Sequence, residues 1–415
     1  MIHRSLRSVA ISALALLVAG TGTAALAQSD DYTEIENQMQ DIRQLELLEP
    51  LEITILTREE LQAELAGETA DAAATPVAEG DDAYDRVLIA FGLLDPDTDL
   101  DTLSEDLLGE QVAGYYDPES KRMVVVSGTE GDELSASDKD TFAHETTHAL
   151  QDQHFDLETY LNDSLEGTDD IYLAMRALPE GDATVAEIMY LQANPDVLNQ
   201  LLVEYQDMGD TEVLDTAPLL IQETLLFPYL QGQEFVTALY EEGGWDLVNE
   251  AYANPPISTE QILHPEKYLD DEAPVAIELS DPTAKLGAGW TLLGANTMGE
   301  FQIQVMLRDE YGVDEGTATD AAAGWGGDQY IALANGDDMA IIWQSAWDSD
   351  DDAKQFAQVL IAREADRLGS DVTSLADGAG AQIVADGVIV QITVAGDQVV
   401  YTQAPDADTL AAIQP

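Results

Sequence analysis

The chain has 415 residues, no cysteine, and 82 acidic residues against 15 Lys and Arg, which gives a formal net charge of −67. This charge excludes nucleic acid as a partner, because binding to phosphates requires clustered lysine and arginine, and it disfavours an anionic membrane surface. The absence of cysteine excludes disulfide bonds, thiolate metal sites and thiol nucleophiles, so any chemistry must use histidines, carboxylates, hydroxyls or a bound ion.

The chain begins with the pattern of a secretory signal. Two arginines precede an apolar run from Val9 to about Ala19, and small residues follow up to Ala27. This three-part pattern predicts a signal peptide over residues 1–27, cleaved after Ala27, and a secreted or periplasmic protein. The apolar run is short for a membrane span of about 20 residues, so we expect no membrane insertion after the signal is removed.

The next segment predicts a helix, a strand and the beginning of a second helix. The periodicity is helical over residues 31–48, and the run LEITILT predicts a strand over residues 51–57. Thr57 and Glu60 have the spacing of a capping box, which predicts that a helix begins there. Residues 66–82 are rich in Ala, Thr, Gly and Asp and predict a flexible, acidic insertion.

A β-hairpin and a long helical region are predicted in the middle of the chain. The turn sequence Asp117-Pro118-Glu-Ser120 lies between extended runs over residues 111–116 and 122–127, which predicts the hairpin. From about residue 138 to about residue 280 the periodicity is mostly helical. Breaks in this helical pattern are expected at Pro179-Glu-Gly181, Gly243-Gly244 and Pro255-Pro256.

After residue 281 the pattern predicts helices and strands together. A helix is expected near residues 296–311, and Gly324-Trp-Gly-Gly327 predicts a turn. The acidic run over residues 348–352 favours the beginning of another helix. Strands are expected over residues 330–333, 340–345, 382–385, 388–394 and 398–402.

The segment His144-Glu145-Thr-Thr-His148 carries the clearest chemical signal. On a helix capped by Ser137, the two histidines lie one turn and roughly 40° apart, so both imidazoles can bind one ion. Glu145 lies beside them and can reach an ion-bound water. Zinc suits this pair, because two imidazoles and one carboxylate leave its fourth tetrahedral position open.

Two residues are candidates for the third metal ligand. His154 follows His148 by six residues, as in metzincins, but Gln151 stands where that pattern has glycine. A continuing helix would point His154 roughly 120° away from His148, in which case a buried polar role is expected. Glu180 is expected in the first turn of a helix, where a glutamate is also favoured without any metal. The spacing alone leaves both candidates open.

Several strings carry a resemblance to known peptidases. His144-Glu-Thr-Thr-His148 followed by Glu180-Gly-Asp-Ala resembles the gluzincin metallopeptidases, whose third zinc ligand is a glutamate on a later helix. Other strings are similar to those of a group of exported bacterial metallopeptidases: Gly114-Tyr-Tyr-Asp-Pro118, His148-Ala-Leu-Gln-Asp-Gln-His-Phe155, Gly243-Gly-Trp245, Pro255-Pro-Ile-Ser-Thr-Glu-Gln-Ile-Leu-His-Pro-Glu-Lys-Tyr268 and Gly324-Trp-Gly-Gly-Asp328. The resemblance covers roughly residues 50–365 and implies a peptidase with one catalytic zinc and Glu180 as its third ligand.

These residues predict hydrolysis of a peptide or protein substrate. Glu145 is the expected general base, acting on a water that the metal activates. His264 is a candidate donor to the oxyanion, with a structural hydrogen bond as its alternative role, and Tyr116 and Tyr190 are further candidates. The hairpin is expected either to offer a sheet edge to the peptide or to form ordinary core sheet.

We therefore expect an α+β protein with a mainly helical, zincin-like peptidase domain. Residues 28–110 form an N-terminal α/β region, residues 111–280 the catalytic domain with a small β-sheet, and residues 281–415 a smaller α+β domain. Two alternatives stay open: a metzincin-like site that uses His154, and a non-catalytic exported zinc-binding module. The dispersed acidic charge indicates a halophilic protein, because molar salt screens its self-repulsion.

Overall fold

The computed structural model describes residues 30–61, 83–111, 113–126, 134–165, 167–207, 212–375 and 379–414. The signal peptide predicted at residues 1–27 and the insertion predicted at residues 66–82 lie outside the described residues. The protein has an α+β fold, as the sequence predicts, with a mainly helical first part and a β-rich last part.

Helices and strands are numbered here in chain order. The described helices are α1 (Asp30–Arg43), α2 (Ala83–Phe91), α3 (Leu100–Gln111), α4 (Ala136–Phe155), α5 (Leu157–Ser164), α6 (Asp169–Ala193), α7 (Pro195–Asp207), α8 (Glu212–Thr216), α9 (Leu219–Ala253), α10 (Thr259–Leu263), α11 (Pro265–Leu269), α12 (Gly299–Leu307), α13 (Glu315–Ala322), α14 (Asp350–Leu368) and α15 (Ala407–Ile413). The described strands are β1 (Glu52–Leu56), β2 (Gly114–Asp117), β3 (Arg122–Val126), β4 (Thr291–Asn296), β5 (Trp325–Asn335), β6 (Asp338–Trp347), β7 (Val372–Ser374), β8 (Gly380–Ala385), β9 (Val388–Ala395) and β10 (Gln398–Ala404).

The predicted hairpin forms part of a three-stranded sheet with the order β1-β3-β2. Strand β3 is central, pairs antiparallel with β2 and pairs parallel with β1. Strand β2 therefore has one free edge in the described sheet. The capping box that follows β1 is also confirmed, because Thr57 and Glu60 exchange hydrogen bonds of 2.9 and 3.2 Å between backbone N–H and side chain.

Local backbone conformation decides where helix α1 ends and where helix α9 bends. Helix α1 ends at Arg43 rather than near residue 48, because Gln44 has a φ of 58°, which is left-handed and cannot continue a helix. The break predicted at Gly243-Gly244 is confirmed, since Gly244 has a φ of 65° and kinks α9. The chain also leaves α9 at Ala253, before the predicted break at Pro255 and Pro256.

The last part is a seven-stranded antiparallel sheet with the order β4-β5-β6-β10-β9-β8-β7. Sequence analysis missed β4 and expected a turn at Gly324–Gly327, but most of this segment lies in β5, with a bulge between Trp325 and Gly327. The glycine is needed because a Cβ on Gly327 would lie 2.3 Å from the backbone oxygen of Val275. Glycine at this position thus allows the chain segment at Val275 to pack closely against the strand.

A continuous cluster of buried hydrophobic residues extends from Tyr32 in α1 to Tyr401 in β10. Phe91 of α2 packs edge-on against Tyr330 and Trp343 of the large sheet, with ring centroids 5.6 and 5.9 Å apart. The predicted domain boundary after residue 280 thus crosses one continuous core, and it stays a prediction. Among the described helices, none is both long and apolar enough to cross a membrane.

Candidate metal centre

Helix α4 carries the first two candidate ligands and has a firmly fixed beginning. Its N-cap is Ser135 rather than the predicted Ser137, and Asp138 completes a capping box with Ser135. The Asp138 N–H donates to the Ser135 hydroxyl, and the Ser135 N–H donates to the Asp138 carboxylate, both at 3.0 Å. Ser137 also has an acidic residue three positions later, Asp140, but the Ser137 backbone N–H donates to Glu204 at 2.9 Å instead, so spacing alone does not distinguish the two serines.

The structure brings His144, His148 and Glu180 together. The two imidazole rings lie 4.9 Å apart, one turn apart on α4. Glu180 Oε2 lies 3.4 Å from Nε2 of His144 and 3.5 Å from Nε2 of His148. One atom from each of the three side chains lies within 4.8 Å of the others, which is the arrangement required to share an ion.

These separations fit a tetrahedral zinc ion. With bonds of about 2.0–2.1 Å, two ligand atoms at tetrahedral angles lie about 3.3 Å apart. The two observed nitrogen–oxygen distances, 3.4 and 3.5 Å, are close to this value. Two imidazole nitrogens and one carboxylate oxygen are also ligands that zinc prefers, and they leave one coordination position for water or substrate.

Glu180 reaches the site from the interior of α6, not from the first turn of a helix as predicted. The expected break at Pro179 is wrong, because α6 runs without interruption from Asp169 to Ala193. Proline lacks the N–H that would bond to the carbonyl of Met175, four residues earlier. The Tyr160 hydroxyl donates to this carbonyl at 2.8 Å instead, which satisfies the acceptor that the proline leaves free.

Gly181 lies where α6 crosses α9, rather than at a helix end. A Cβ on Gly181 would lie 2.1 Å from the backbone oxygen of Gly232, and a Cβ on Gly232 would lie 2.3 Å from that of Ala177. Any larger residue at either position would force the two helices apart. This close crossing places Tyr229 of α9 beside Glu180 in the same cavity.

The other nitrogen of each imidazole is held by a polar side chain. His144 Nδ1 lies 2.8 Å from Glu187 Oε2, and His148 Nδ1 lies 2.9 Å from Gln151 Oε1. Gln151 in turn donates to the Pro179 carbonyl at 3.0 Å, which links α4 to α6. Because these acceptors take the Nδ1–H groups, both Nε2 atoms are available toward Glu180.

The charges of the three candidate ligands depend on one another. Burial alone would lower the pKa of His144 and of His148, but the Glu180 carboxylate beside both rings outweighs it and raises both pKa values. Burial would raise the pKa of Glu180, but the two imidazoles hold it well below its usual range. A cation bound here would therefore replace protons on the histidines.

Glu145 and the metal-ligand candidates line one cavity. Burial raises the pKa of the Glu145 carboxyl, although the neighbouring imidazoles of His148 and His144 oppose the rise. A raised pKa brings a carboxylate closer to the range in which it accepts a proton at neutral pH. The cavity is lined by Gly114, Tyr115, Tyr116, Pro118, His144, Glu145, His148, Leu157, Leu161, Pro179, Glu180 and Tyr229, so the β2 edge forms one wall.

The other two candidate histidines lie elsewhere. Nε2 of His154 is 2.8 Å from the carbonyl of Glu46, and His154 does not line the cavity. Nε2 of His264 is 2.9 Å from Glu300, and His264 is not among the residues that line the cavity. For His264 this structural hydrogen bond is the alternative role that the sequence left open. The buried role expected for His154 is wrong, because this residue is exposed and bonds a carbonyl at the surface.

Among the tyrosines, the structure singles out one that sequence analysis missed. Tyr116 lines the cavity, but its hydroxyl donates to Asp152 at 2.8 Å. Burial raises the pKa of Tyr190 to about 12, and this residue does not line the cavity. Tyr229 does line it, and its ring lies 6.0 Å from that of His144. Its only signal in the sequence is a place in a long helix, so tertiary contacts were needed to find it.

Comparisons with known proteins bear mainly on the last part of the chain. Residues 291–414 match the model of a family described as a domain of unknown function (DUF8575), and this segment runs from β4 to α15. No curated protein matches the chain. Among solved structures, the chain is similar to a protein from Chloroflexus aurantiacus described as a "putative hydrolase with a novel fold", at 16% identity and a TM-score of 0.33, over 64% of this chain and 96% of that one. The candidate metal centre lies outside the matched family segment.

Proposed function

We propose that the protein is a zinc-dependent peptidase of the gluzincin type. The observation that carries the proposal is the convergence of His144, His148 and Glu180 at tetrahedral ligand distances, beside Glu145 and inside a cavity. The alternative with His154 as third ligand loses its geometric basis, because that imidazole binds the Glu46 carbonyl. Two imidazole nitrogens and one carboxylate oxygen form a set of donor atoms that suits zinc.

The residues of the site support metal-assisted hydrolysis of a peptide bond. Zinc, when bound, supplies a Lewis acid that lowers the pKa of a water toward about 7 and polarises the scissile carbonyl. Glu145 accepts the proton of the attacking water and passes it to the leaving nitrogen. The water oxygen joins the carbonyl carbon as the carbon–nitrogen bond breaks, so acid and amine are the products.

Tyr229 is the proposed donor to the oxyanion. Burial, together with the carboxylates of Glu180 and Glu145, raises the pKa of its hydroxyl well above the ordinary value. The hydroxyl therefore keeps its proton at neutral pH and can donate a hydrogen bond to a developing negative charge. The free edge of β2 lies in the same cavity and can pair with an extended peptide.

Substitution of Glu145 tests the proposed function. The wild type should contain one zinc per chain and hydrolyse peptides, whereas Glu145→Gln should retain zinc and lose activity by a factor of about 100 to 10000. Metal content by mass spectrometry and hydrolysis of a fluorogenic peptide mixture measure the two quantities. Glu158→Gln, on the neighbouring helix α5 and partly exposed, is the matched control and should stay active. Bound zinc without any hydrolysis would instead support a non-catalytic zinc-binding module.

Secretion and a saline working environment belong to the same proposal. The signal-like first 27 residues support export, and the net charge of −67 supports folding in salt that screens it. The N-terminus of the exported chain tests the first point, and a cooperative fold that persists in dilute buffer would contradict the second.

A further inference from the structure

One buried arginine near the candidate metal centre has no acidic partner among the described residues. Arg176 is 3% exposed, and its Nε and Nη1 atoms form no hydrogen bond in the described part of the protein. Nor does it form an ion pair with any described residue. Arg43 and Arg363 are similarly buried, but they bind the carboxylates of Asp182 and Asp309. Although the chain has 82 acidic residues, none of those in its described part pairs with this guanidinium.

Such an arrangement is costly unless an anion from outside the chain completes it. Removing a charge from water costs several kcal/mol per ion, which a nearby opposite charge offsets only in part. Within the described residues Arg176 has an aromatic contact, with its guanidinium carbon 4.8 Å from the centre of the Tyr172 ring. This contact holds the guanidinium in place but leaves its charge uncompensated.

The position of Arg176 on α6 relates it to the cavity. Tyr172, Arg176 and Glu180 are spaced by four residues and so form one stripe along the helix. Pro179 and Glu180 line the cavity, and the direction of Arg176 around the helix axis falls between theirs. The positive charge of Arg176 also acts on Tyr229, where it opposes the rise in pKa that burial causes. Arg176 itself is not among the residues that line the cavity, and it lies one helical turn before Glu180, which does line it.

We propose that Arg176 binds the C-terminal carboxylate of a peptide substrate, which makes the protein a carboxypeptidase; this inference rests on the proposed peptidase function. A guanidinium pairs with a planar carboxylate through parallel hydrogen bonds. A terminal carboxylate lies one residue, about 3.5 Å of chain, beyond the scissile bond. Arg176 and Glu180 lie four residues, about 6 Å, apart along the helix axis, a separation that this residue of chain and the long arginine side chain span together. Hydrolysis of that bond releases one free amino acid.

A binding experiment on the zinc-free protein tests the inference without catalysis. The probes are N-acetyl-alanyl-leucine and its C-terminal amide, titrated calorimetrically in potassium gluconate at constant ionic strength. The wild type should bind the acid more tightly than the amide by on the order of tenfold. Arg176→Met should bind both equally, and Arg176→Lys should keep part of the preference. Arg308→Met, whose arginine is paired with Glu223 and Glu315, is the control and should behave as the wild type.

The stability of Arg176→Met separates an anion-binding role from a purely structural one. Replacing an unpaired buried charge by an apolar side chain of similar length should leave the melting temperature equal or higher in the absence of ligand. A marked fall in melting temperature, or an acid preference that survives in Arg176→Met, would overturn the inference. So would equal binding of acid and amide by the wild type.

Two further measurements, a cleavage assay and a chloride control, show whether a negative result counts against the carboxypeptidase inference or against the proposed peptidase function. With zinc, the wild type should release the last residue of a free-acid peptide and spare its amide. Cleavage of both peptides at equal rates would overturn the carboxypeptidase inference while supporting a peptidase, and cleavage of neither would count against the proposed function itself. If chloride in place of gluconate raises the melting temperature of the wild type but not of Arg176→Met, while acid and amide bind equally, the anion is chloride and the inference is wrong.

Discussion

Two clusters in the described residues each bring three potential metal ligands within 4.8 Å of one another. The first is the candidate metal centre, and the second consists of Glu260, Glu272 and Asp348. In the second cluster the ammonium of Lys267 lies 2.6 Å from Glu260 and 2.9 Å from each of the other two carboxylates. A lysine thus takes the position that a cation would need, and the second cluster is a network of ion pairs.

The comparison shows that the source of positive charge separates the two clusters. Burial alone would lower the pKa of Lys267, but its hydrogen bonds to the three carboxylates raise it, so the lysine stays charged. The cavity of the candidate metal centre has neither lysine nor arginine among its described lining residues. There burial disfavours protonated His144 and His148 and the Glu180 carboxylate favours them, and a metal ion competes with these protons for the same nitrogen atoms.

The largest expected effect concerns zinc binding. His148→Ala removes one of three protein ligands and should weaken zinc binding on the order of a hundredfold to a thousandfold, because each ligand contributes a large share of the binding free energy. Glu272→Gln changes the second cluster in a comparable way and should leave zinc affinity unchanged. Competition with a chromophoric chelator measures both. The comparison fails if His148→Ala retains wild-type affinity or if Glu272→Gln loses it.

The second expected effect concerns the stability of the ion-pair network. Lys267→Met leaves the Glu260 carboxylate, whose side chain is 1% exposed, without its cation, and should destabilise the fold by about 3 kcal/mol or more. The exposed pair between Lys354 and Asp351 offers a control, because Lys354→Met should have little effect. Urea unfolding in molar salt gives the free energies. An unchanged midpoint in Lys267→Met would show that the network is replaceable, and zinc bound in its place would make it a metal site.

The smallest expected effect is the pH dependence of the candidate metal centre. In metal-free protein, the raised pKa values of His144 and His148 contribute stability that is fully present below about pH 6.5 and is lost as pH rises through those values. With zinc the sign reverses, because affinity grows as the protons leave. Melting temperatures between about pH 6 and about pH 9, with chelator and with zinc, should therefore diverge. In His148→Ala the metal-free slope should be shallower, and parallel curves for the wild type would contradict the assignment.

Local signals in the sequence predicted the parts of the fold that neighbouring residues decide. The capping box at Thr57, the hairpin, the kink at Gly244 and five strands of the large sheet follow from turn chemistry and periodicity. The same reasoning failed at Pro179. There the proline leaves the Met175 carbonyl without its usual N–H donor, which was expected to end the helix. The hydroxyl of Tyr160, distant in sequence, donates to this carbonyl instead, and the helix continues.

In the candidate site, too, neighbouring residues predicted some features and contacts distant in sequence decided the others. Spacing on one helix was enough to identify His144, Glu145 and His148, and a family resemblance was needed to favour Glu180. In the sequence, Gln151 was notable only because it stands where the metzincin pattern has glycine. In the structure it orients His148 through a hydrogen bond. Glu187, Tyr229 and Arg176 have no local signal, since their relation to the site depends on contacts between helices far apart in sequence.

The sequence by itself determined an acidic, cysteine-free α+β protein with two histidines and a glutamate on one face of a capped helix. These features depend on composition and on spacing over a few residues, for which backbone geometry is fixed in advance. Only the tertiary structure decided which carboxylate meets the histidines and which cluster already contains its own cation. Both depend on how closely helices cross. At Gly181 and Gly232 the two helices approach closely because glycine has no side chain to hold them apart.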